Sequence, residues 1–162
     1  VQVTGPNDRF PNDEQIVQAI AQIWSRIGLA ATVETRPHGV WLSEAAQLKY
    51  SVNFAGFSSN PEALGMLETQ IHSWDAALGL GTANRGHFSN PDIDGMIRKA
   101  RQTMDNHQRE ALTRQATWAA LRDQQALIPL DVAVNTWAMR RGLSYQVRTD
   151  EMTLATSIGR PV

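Results

Sequence analysis

The stretch that decides the fold runs over residues 1–59. It opens Val1-Gln2-Val3-Thr4-Gly5-Pro6-Asn7-Asp8 and closes Ala55-Gly56-Phe57-Ser58-Ser59, followed by Asn60-Pro61. Val1 to Thr4 alternate apolar and polar and meet a turn-type composition at Gly5-Pro6-Asn7-Asp8, which predicts a strand and then a turn. A helix is predicted next, opened by a capping box in which Asn12 caps and Gln15 reaches back. Its apolar stripe is Ile16, Ile20, Ile23 and Ile27 with Trp24 beside them, and Gly28 stops it by accepting a left-handed backbone. Leu29, Ala31, Val33 and Thr35 alternate as a second strand closed by Pro37. A shorter helix over 39–48, with Trp41, Ala45 and Leu48 on one side, and a third strand over 50–57 complete the series. Strands separated by short helices imply parallel pairing and right-handed crossovers, hence an α/β layer. In such a layer the ligand lies outside the carboxyl ends of the strands, which points first to the turn from Gly56 to Asn60.

The remainder reads as mainly helical. Leu64, Leu67 and Ile71 suit a helix over 62–73. Residues 74–89 then form a long irregular stretch containing Gly79, Gly81 and Gly86, and loops of that length are commonly functional or mobile. Asn90-Pro91 opens another helix, with Asn as cap and Pro at its first position, and Ile93, Met96, Ile97 and Ala100 form its stripe. Asp105 and Gln108 make a second capping box for a long helix to about residue 125, with Leu112, Ala116, Ala119 and Ala120 facing inward. Residues 127–130 and 132–137 read as strand, Pro129 placing it at an edge. Residues 143–147 and 151–158 are further strand candidates.

Composition excludes several classes. The chain of 162 residues carries a net charge of −1, with 42% hydrophobic and 19% charged residues, as in a globular domain, and it lacks the basic stripe of a nucleic-acid surface. No run approaches the apolar length of a membrane span. Without cysteine, disulfides, thiol nucleophiles and thiolate-bound zinc are excluded. His38, His72, His87 and His107 share no helix face and no carboxylate cluster has ligand spacing, so neither a metal site nor a cofactor is predicted. Gly79-x-Gly81 lacks the third glycine of a dinucleotide fingerprint, where Asn84 stands, and no G-x-S-x-G elbow is present. Ser58 and Ser59 sit on a strand-end turn with no histidine placed by sequence to act as their base. No catalytic residue is therefore assigned. Trp74, at the head of the glycine-rich loop, is a candidate pocket wall.

Several stretches stand out when taken in order. The first are the opening Thr4-Gly5-Pro6-Asn7-Asp8-Arg9-Phe10-Pro11-Asn12-Asp13-Glu14, then Ala19-Ile20-Ala21-Gln22-Ile23-Trp24 with the Ile27-Gly28 stop. Phe88-Ser89-Asn90-Pro91-Asp92-Ile93-Asp94 is a further helix start, continued by Ala100-Arg101, Asp105 and Arg109. Ile128-Pro129-Leu130 and Ala138-Met139-Arg140-Arg141-Gly142-Leu143 follow. Together, in this order, they resemble the family 5 extracellular solute-binding proteins, the peptide/nickel-type receptors of ABC importers.

The resemblance implies a periplasmic-binding-protein-like (type II) fold. Residues 1–162 would form a single α/β lobe, a βαβαβ layer followed by a helical half and return strands, cut from the C-terminal lobe of a larger two-lobe protein. It further implies capture of a peptide-like or other small solute in an interlobe cleft outside the cytoplasmic membrane, delivery to a membrane permease, and no catalysis. A monomer that binds no nucleic acid is the expectation.

In peptide-binding members a Gly-Trp strand end is followed by an Asp that meets the ligand's amino group. Here Gly56 matches, Phe57 stands for the Trp and Asn60 for the Asp. Loss of that charge puts recognition of a free amine in doubt. The implied ligand-binding set is Phe57, Ser58, Ser59 and Asn60 from the turn, with Trp74, Asn84 and Arg85 from the loop. A small α/β hydrolase-like enzyme and a ligand-sensing domain of a regulator remain as alternatives.

Overall fold

A computed structural model describes residues 1–57, 62–148, 150 and 152–160. Strand β1 (Gln2–Pro6) lies in the middle of a three-stranded sheet ordered β2-β1-β3, with β2 (Thr32–Arg36) and β3 (Val52–Asn53) parallel to it on either side. The register runs from Gln2 opposite Thr32 to Pro6 opposite Arg36, and Val3 stands opposite Val52. Helices α1 (Asp13–Arg26) and α2 (His38–Ala46) make the two crossovers. The expected βαβαβ layer is present.

Three local readings are corrected. Gly5 and Pro6 belong to β1 and not to a turn. A Cβ on Gly5 would stand 2.7 Å from Val17 Cγ2, so glycine is needed there because α1 packs directly on the strand. Asn12 takes a left-handed backbone (φ 58°) and its side chain caps nothing, so no capping box forms. Asp13 does the work: its carboxylate accepts from the amides of Arg9 (2.9 Å), Phe10 (3.1 Å) and Glu14 (2.8 Å). The face of α1 that meets the sheet is Val17 and Ala21, with Ile20 and Trp24 at its margin. Ile23 and Ile27 are 55% and 72% exposed, because the helix is rotated so that its small residues meet the strands closely. Its end is as expected: Gly28 (φ 88°) donates to Ser25 O and Leu29 to Trp24 O, a Schellman motif.

Helix α2 buries Trp41 and Ala45 as predicted, whereas Leu48 is exposed. Leu48 takes the left-handed position of a second Schellman motif (φ 57°), with Lys49 N donating to Glu44 O, and this carries its side chain off the helix face. β3 is shorter than expected. Phe54 N still donates to Thr4 O (2.7 Å), but beyond it the chain leaves the ladder and Phe54 turns its ring edge-on to Phe10, centroids 5.9 Å apart.

The helical half follows the predicted stripes. Helix α3 (Ala63–Met66) widens into a π-helical turn (Leu67–Ile71), burying Leu64, Leu67 and Ile71. α4 (Pro91–Gln102) is capped by Asn90 Oδ1, which accepts from Asp92 N and Ile93 N. α5 (Asn106–Trp118) is capped by Asp105, which accepts from Gln108 N at 2.8 Å, and it too runs on into a π-helical turn, Ala119–Asp123. Ile93, Ile97, Ala100, Ala116 and Ala120 complete this core.

The strands expected over 127–130 and 132–137 do not form among the described residues. That segment is without regular structure, and Val132 and Val134 are 89% and 84% exposed. Alternation supplies β-propensity, but a strand exists only against a partner. The last two candidates shrink to a small antiparallel ribbon, β4 (Ser144–Tyr145) with β5 (Ile158–Gly159), on which Trp137 rests, its ring 5.5 Å from Tyr145 and its Nε1 donating to Thr153 Oγ1.

Candidate functional site

The carboxyl ends of the three strands are tied together by specific contacts. After β1, Asn7 N donates to Arg36 O at the end of β2 (3.0 Å), and Asp8 Oδ1 accepts from His38 N (2.7 Å). After β3, Gly56 lies so close to Phe10 that a Cβ would stand 2.6 Å from the ring's Cε1. A side chain at position 56 would have to displace the Phe10 ring, so glycine lets the β3 turn close directly on the β1 loop. Arg9 sits over the same Phe10 ring, its Cζ 5.4 Å from the centroid. Phe57, 47% exposed, follows at the rim.

Electrostatics favour order in this loop. Burial alone would raise the pKa of Asp13, yet the amides of Arg9, Phe10 and Glu14 together outweigh it and hold the carboxyl below its ordinary range. The carboxylate thus fixes the backbone that presents Arg9 and Phe10.

A second set of contacts brings the glycine-rich loop to the same edge. His38 stacks on Trp41 with centroids 6.0 Å apart, both in the first turn of α2 just beyond β2. Arg85 lies over that indole, Cζ 5.6 Å from the centroid, and burial pushes its pKa down. Beside it, Asn84 is buried and its amide is spent on the loop: Nδ2 donates to His72 O (3.1 Å) and Phe88 O (2.7 Å), and Oδ1 accepts from Phe88 N (3.0 Å). Gly81 (φ 67°) is pressed against His72 O, which a Cβ would meet at 2.5 Å. Beneath the loop His72 is buried; Arg98 can only donate, so His72 Nε2 accepts from it at 3.2 Å and Nδ1 carries the proton donated to Ser73 O. His72 thus fastens the loop through both ring nitrogens.

Of the residues nominated from sequence, Phe57 lies on the carboxyl edge and Arg85 packs on α2 beside it. Asn84 braces the loop from within, and Trp74 stands exposed at its head. Ser58, Ser59 and Asn60 lie outside the described residues. Arg9, Phe10, His38 and Trp41 were not nominated. Their signal was positional, since each follows the carboxyl end of a strand. A depression of about 650 Å³ between α3 and α5, bordered by Leu64, Thr113, Trp118 and Pro129, includes none of the nominated residues. Among the described residues no group of three or more potential ligands could hold a metal ion, and no helix is long and apolar enough to cross a membrane.

The edge can therefore offer aromatic side chains (Phe10, Phe57) and cationic groups (Arg9, Arg85) to a small polar molecule, with Trp41 buried beneath Arg85. No family model matches the chain, and no curated protein matches it. Solved structures do. The ABC transporter-associated periplasmic binding protein DppA from Helicobacter pylori, in complex with peptide STSA, aligns over 75% of this chain and 23% of its own, with TM-score 0.65 and 21% identity. HbpA2 from Haemophilus parasuis aligns over 99% of this chain and 32% of its own, with TM-score 0.78 and 14% identity. NikZ from Campylobacter jejuni, in complex with Ni(L-His), aligns over 77% and 25%, with TM-score 0.63 and 16% identity. The chain thus spans 23% to 32% of the length of these proteins. At such identities the likeness is one of fold, and the resemblance read from the sequence holds at that level: the chain has the α/β fold of one portion of a periplasmic binding protein of the peptide and nickel type.

Proposed function

We propose that this chain is part of the extracytoplasmic solute-binding component of an ABC importer, and that the carboxyl edge of its sheet is one wall of an interlobe cleft. The observation that carries the reading is the convergence of three parallel strand ends, where the Asp8–His38 and Gly56–Phe10 contacts build a single surface. Parallel α/β sheets bind ligands at that edge. The fold shared with binding proteins solved with a peptide and with Ni(L-His) supports it.

On this reading the protein acts in the periplasm as a monomer, hands a peptide-like or other small solute to a membrane permease, and performs no chemistry on it. Phe57 contacts the solute from beyond β3, and Ser58, Ser59 and Asn60, next in sequence, are the further contacts. Trp74 and Arg85 contribute from the loop, with Asn84 holding that loop in place. A neutral Asn60 makes a hydrogen-bonding contact where a carboxylate would have selected a free amine.

Native mass spectrometry of the full-length protein tests this. A co-purifying small molecule, released on denaturation and weakened by Phe57→Ala, is expected. A full-length protein that carries no solute and instead turns one over would overturn it.

A further inference from the structure

Two side-chain N–H donors among the described residues are buried without any acceptor: Trp41 Nε1 and Arg85 Nε. They belong to one contact, the guanidinium of Arg85 lying over the Trp41 indole with Cζ 5.6 Å from its centroid. Trp41 is 2% exposed. Both residues are held in place by their surroundings. Trp41 sits one turn into α2 with His38 stacked on it, and Arg85 follows Asn84, whose amide bonds on both sides brace the loop.

Buried donors are normally satisfied, and each one left without a partner forfeits its hydration for nothing in return. Here one of the two donors belongs to the guanidinium cation that lies over the ring of the other, and among the described residues no acidic side chain lies within ion-pair distance of Arg85. An indole N–H and a guanidinium can only donate. What would complete the pair is an oxygen acceptor carrying negative charge. One cation neutralises one charge, and a planar carboxylate matches the guanidinium edge, so a carboxylate fits better than a phosphate dianion.

We infer that the Trp41–Arg85 pair is a carboxylate-binding position, filled either by a carboxylate of the solute or by an acidic side chain of the longer polypeptide. This deepens the solute-site reading: the first source rests on the proposed solute and the second on the proposed larger protein.

The test uses ¹H–¹⁵N spectra of the 162-residue chain, with the Trp41 indole resonance assigned by its loss in Trp41→Phe. Sodium acetate is titrated against sodium chloride at matched ionic strength. Acetate is expected to move the Trp41 indole and Arg85 Nε–H resonances saturably, and chloride is not. Arg85→Gln is expected to weaken the response by about tenfold or more, the loss of a charge-assisted bond, while the other indole resonances stay in place. Arg85→Lys retains part of it. Equal behaviour of acetate and chloride would show that water serves these donors and would overturn the inference.

Repeating the titration on the full-length protein separates the sources. A Trp41 resonance already at its acetate-bound position after solute is removed assigns the carboxylate to the protein, and one that responds to acetate only then assigns it to the solute. The two readings fail separately. A solute found by mass spectrometry with no acetate response sinks only the carboxylate position, and an acetate response without any solute sinks only the importer reading.

Discussion

The helical half and the sheet half are built on cores of different depth. Between α3, α4 and α5 the side chains of Leu67, Ile71, Ile97 and Ala116 have no solvent exposure, and each lies against residues from another helix. Against the sheet, the cluster shared with α1 is only Val3, Val17 and Ala21, with Trp41 and Ala45 of α2 buried outside that cluster, while Ile23, Ile27 and Leu29 remain open to solvent. The helices bury one another on facing stripes, whereas α1 and α2 each meet the small sheet through a few buried residues, of which only Trp41 is large. Stability is thus concentrated in the helical half, and the sheet half is organised by close backbone approaches at Gly5 and Gly56. An edge placed on the thinner half can rearrange without disturbing the deeper core.

The sharpest way to break this contrast is to cut into both cores. Ile97→Ala is expected to cost about 3–4 kcal/mol and Val17→Ala about 2 kcal/mol, from the lost methyl groups and the cavities left behind. Urea denaturation monitored by Trp fluorescence checks this. Equal losses would mean the sheet half is as deeply built as the helical one.

Glycine replacements sharpen the distinction between backbone and side-chain approach. Gly81→Ala combines a left-handed backbone with a clash on His72 O and should cost about 3 kcal/mol. Gly56→Ala meets the movable ring of Phe10 and should cost about 1–2 kcal/mol, with the Phe10 ring resonances displaced. Gly28→Ala, with open space around it but φ 88°, should cost about 1 kcal/mol. Thermal unfolding gives the order; Gly56→Ala proving the most damaging would reverse the assignment. Asn84→Ala should lose about 2–3 kcal/mol by orphaning His72 O and the Phe88 backbone, read as faster amide exchange at Phe88.

Asp13 supplies a pH test of the β1 loop. Its folded pKa lies below the ordinary 3.8 because three amides outweigh the effect of burial. The stabilisation is therefore complete above that value and is lost as the pH falls through the folded pKa. Asp13→Ala should cost about 1–2 kcal/mol at neutral pH, and the gap between variant and parent should close under strongly acidic conditions. A gap that persists there would point to packing and not to the carboxylate. The smallest effect is expected at Ile23→Gln, within about 0.5 kcal/mol because the side chain is exposed. A larger loss would restore the isoleucine stripe as the buried face.

The elements legible in sequence were those whose cause is local. Asn90-Pro91 and Asp105 cap their helices as read, Gly28 ends α1 as read, and the Leu64–Leu67–Ile71 and Ile93–Ile97–Ala100 stripes are buried as read. The errors arose where two segments compete for one group. Asn12 had the better cap chemistry, yet the turn at Phe10-Pro11 brought two amides to Asp13 instead. Ile23 and Ile27 had the better period, yet the close approach of Gly5 to Val17 set the rotation of α1. For the site, Gly56 and Phe57 were visible as a strand end, whereas Arg9, Phe10 and Trp41 gained meaning only once the strand ends were brought together.

By itself the sequence determined the α/β layer, the helix ends marked by Gly28, Asn90 and Asp105, and the stripe of each helix in the second half, because capping, left-handed glycine and 3.6-residue periodicity act within a few residues. Only the tertiary structure decided which face of α1 is buried, that residues 127–137 find no strand partner among the described residues, and that Arg85 comes to lie on Trp41. These outcomes depend on which surfaces meet across the chain, and that is settled by the fit of distant residues to one another.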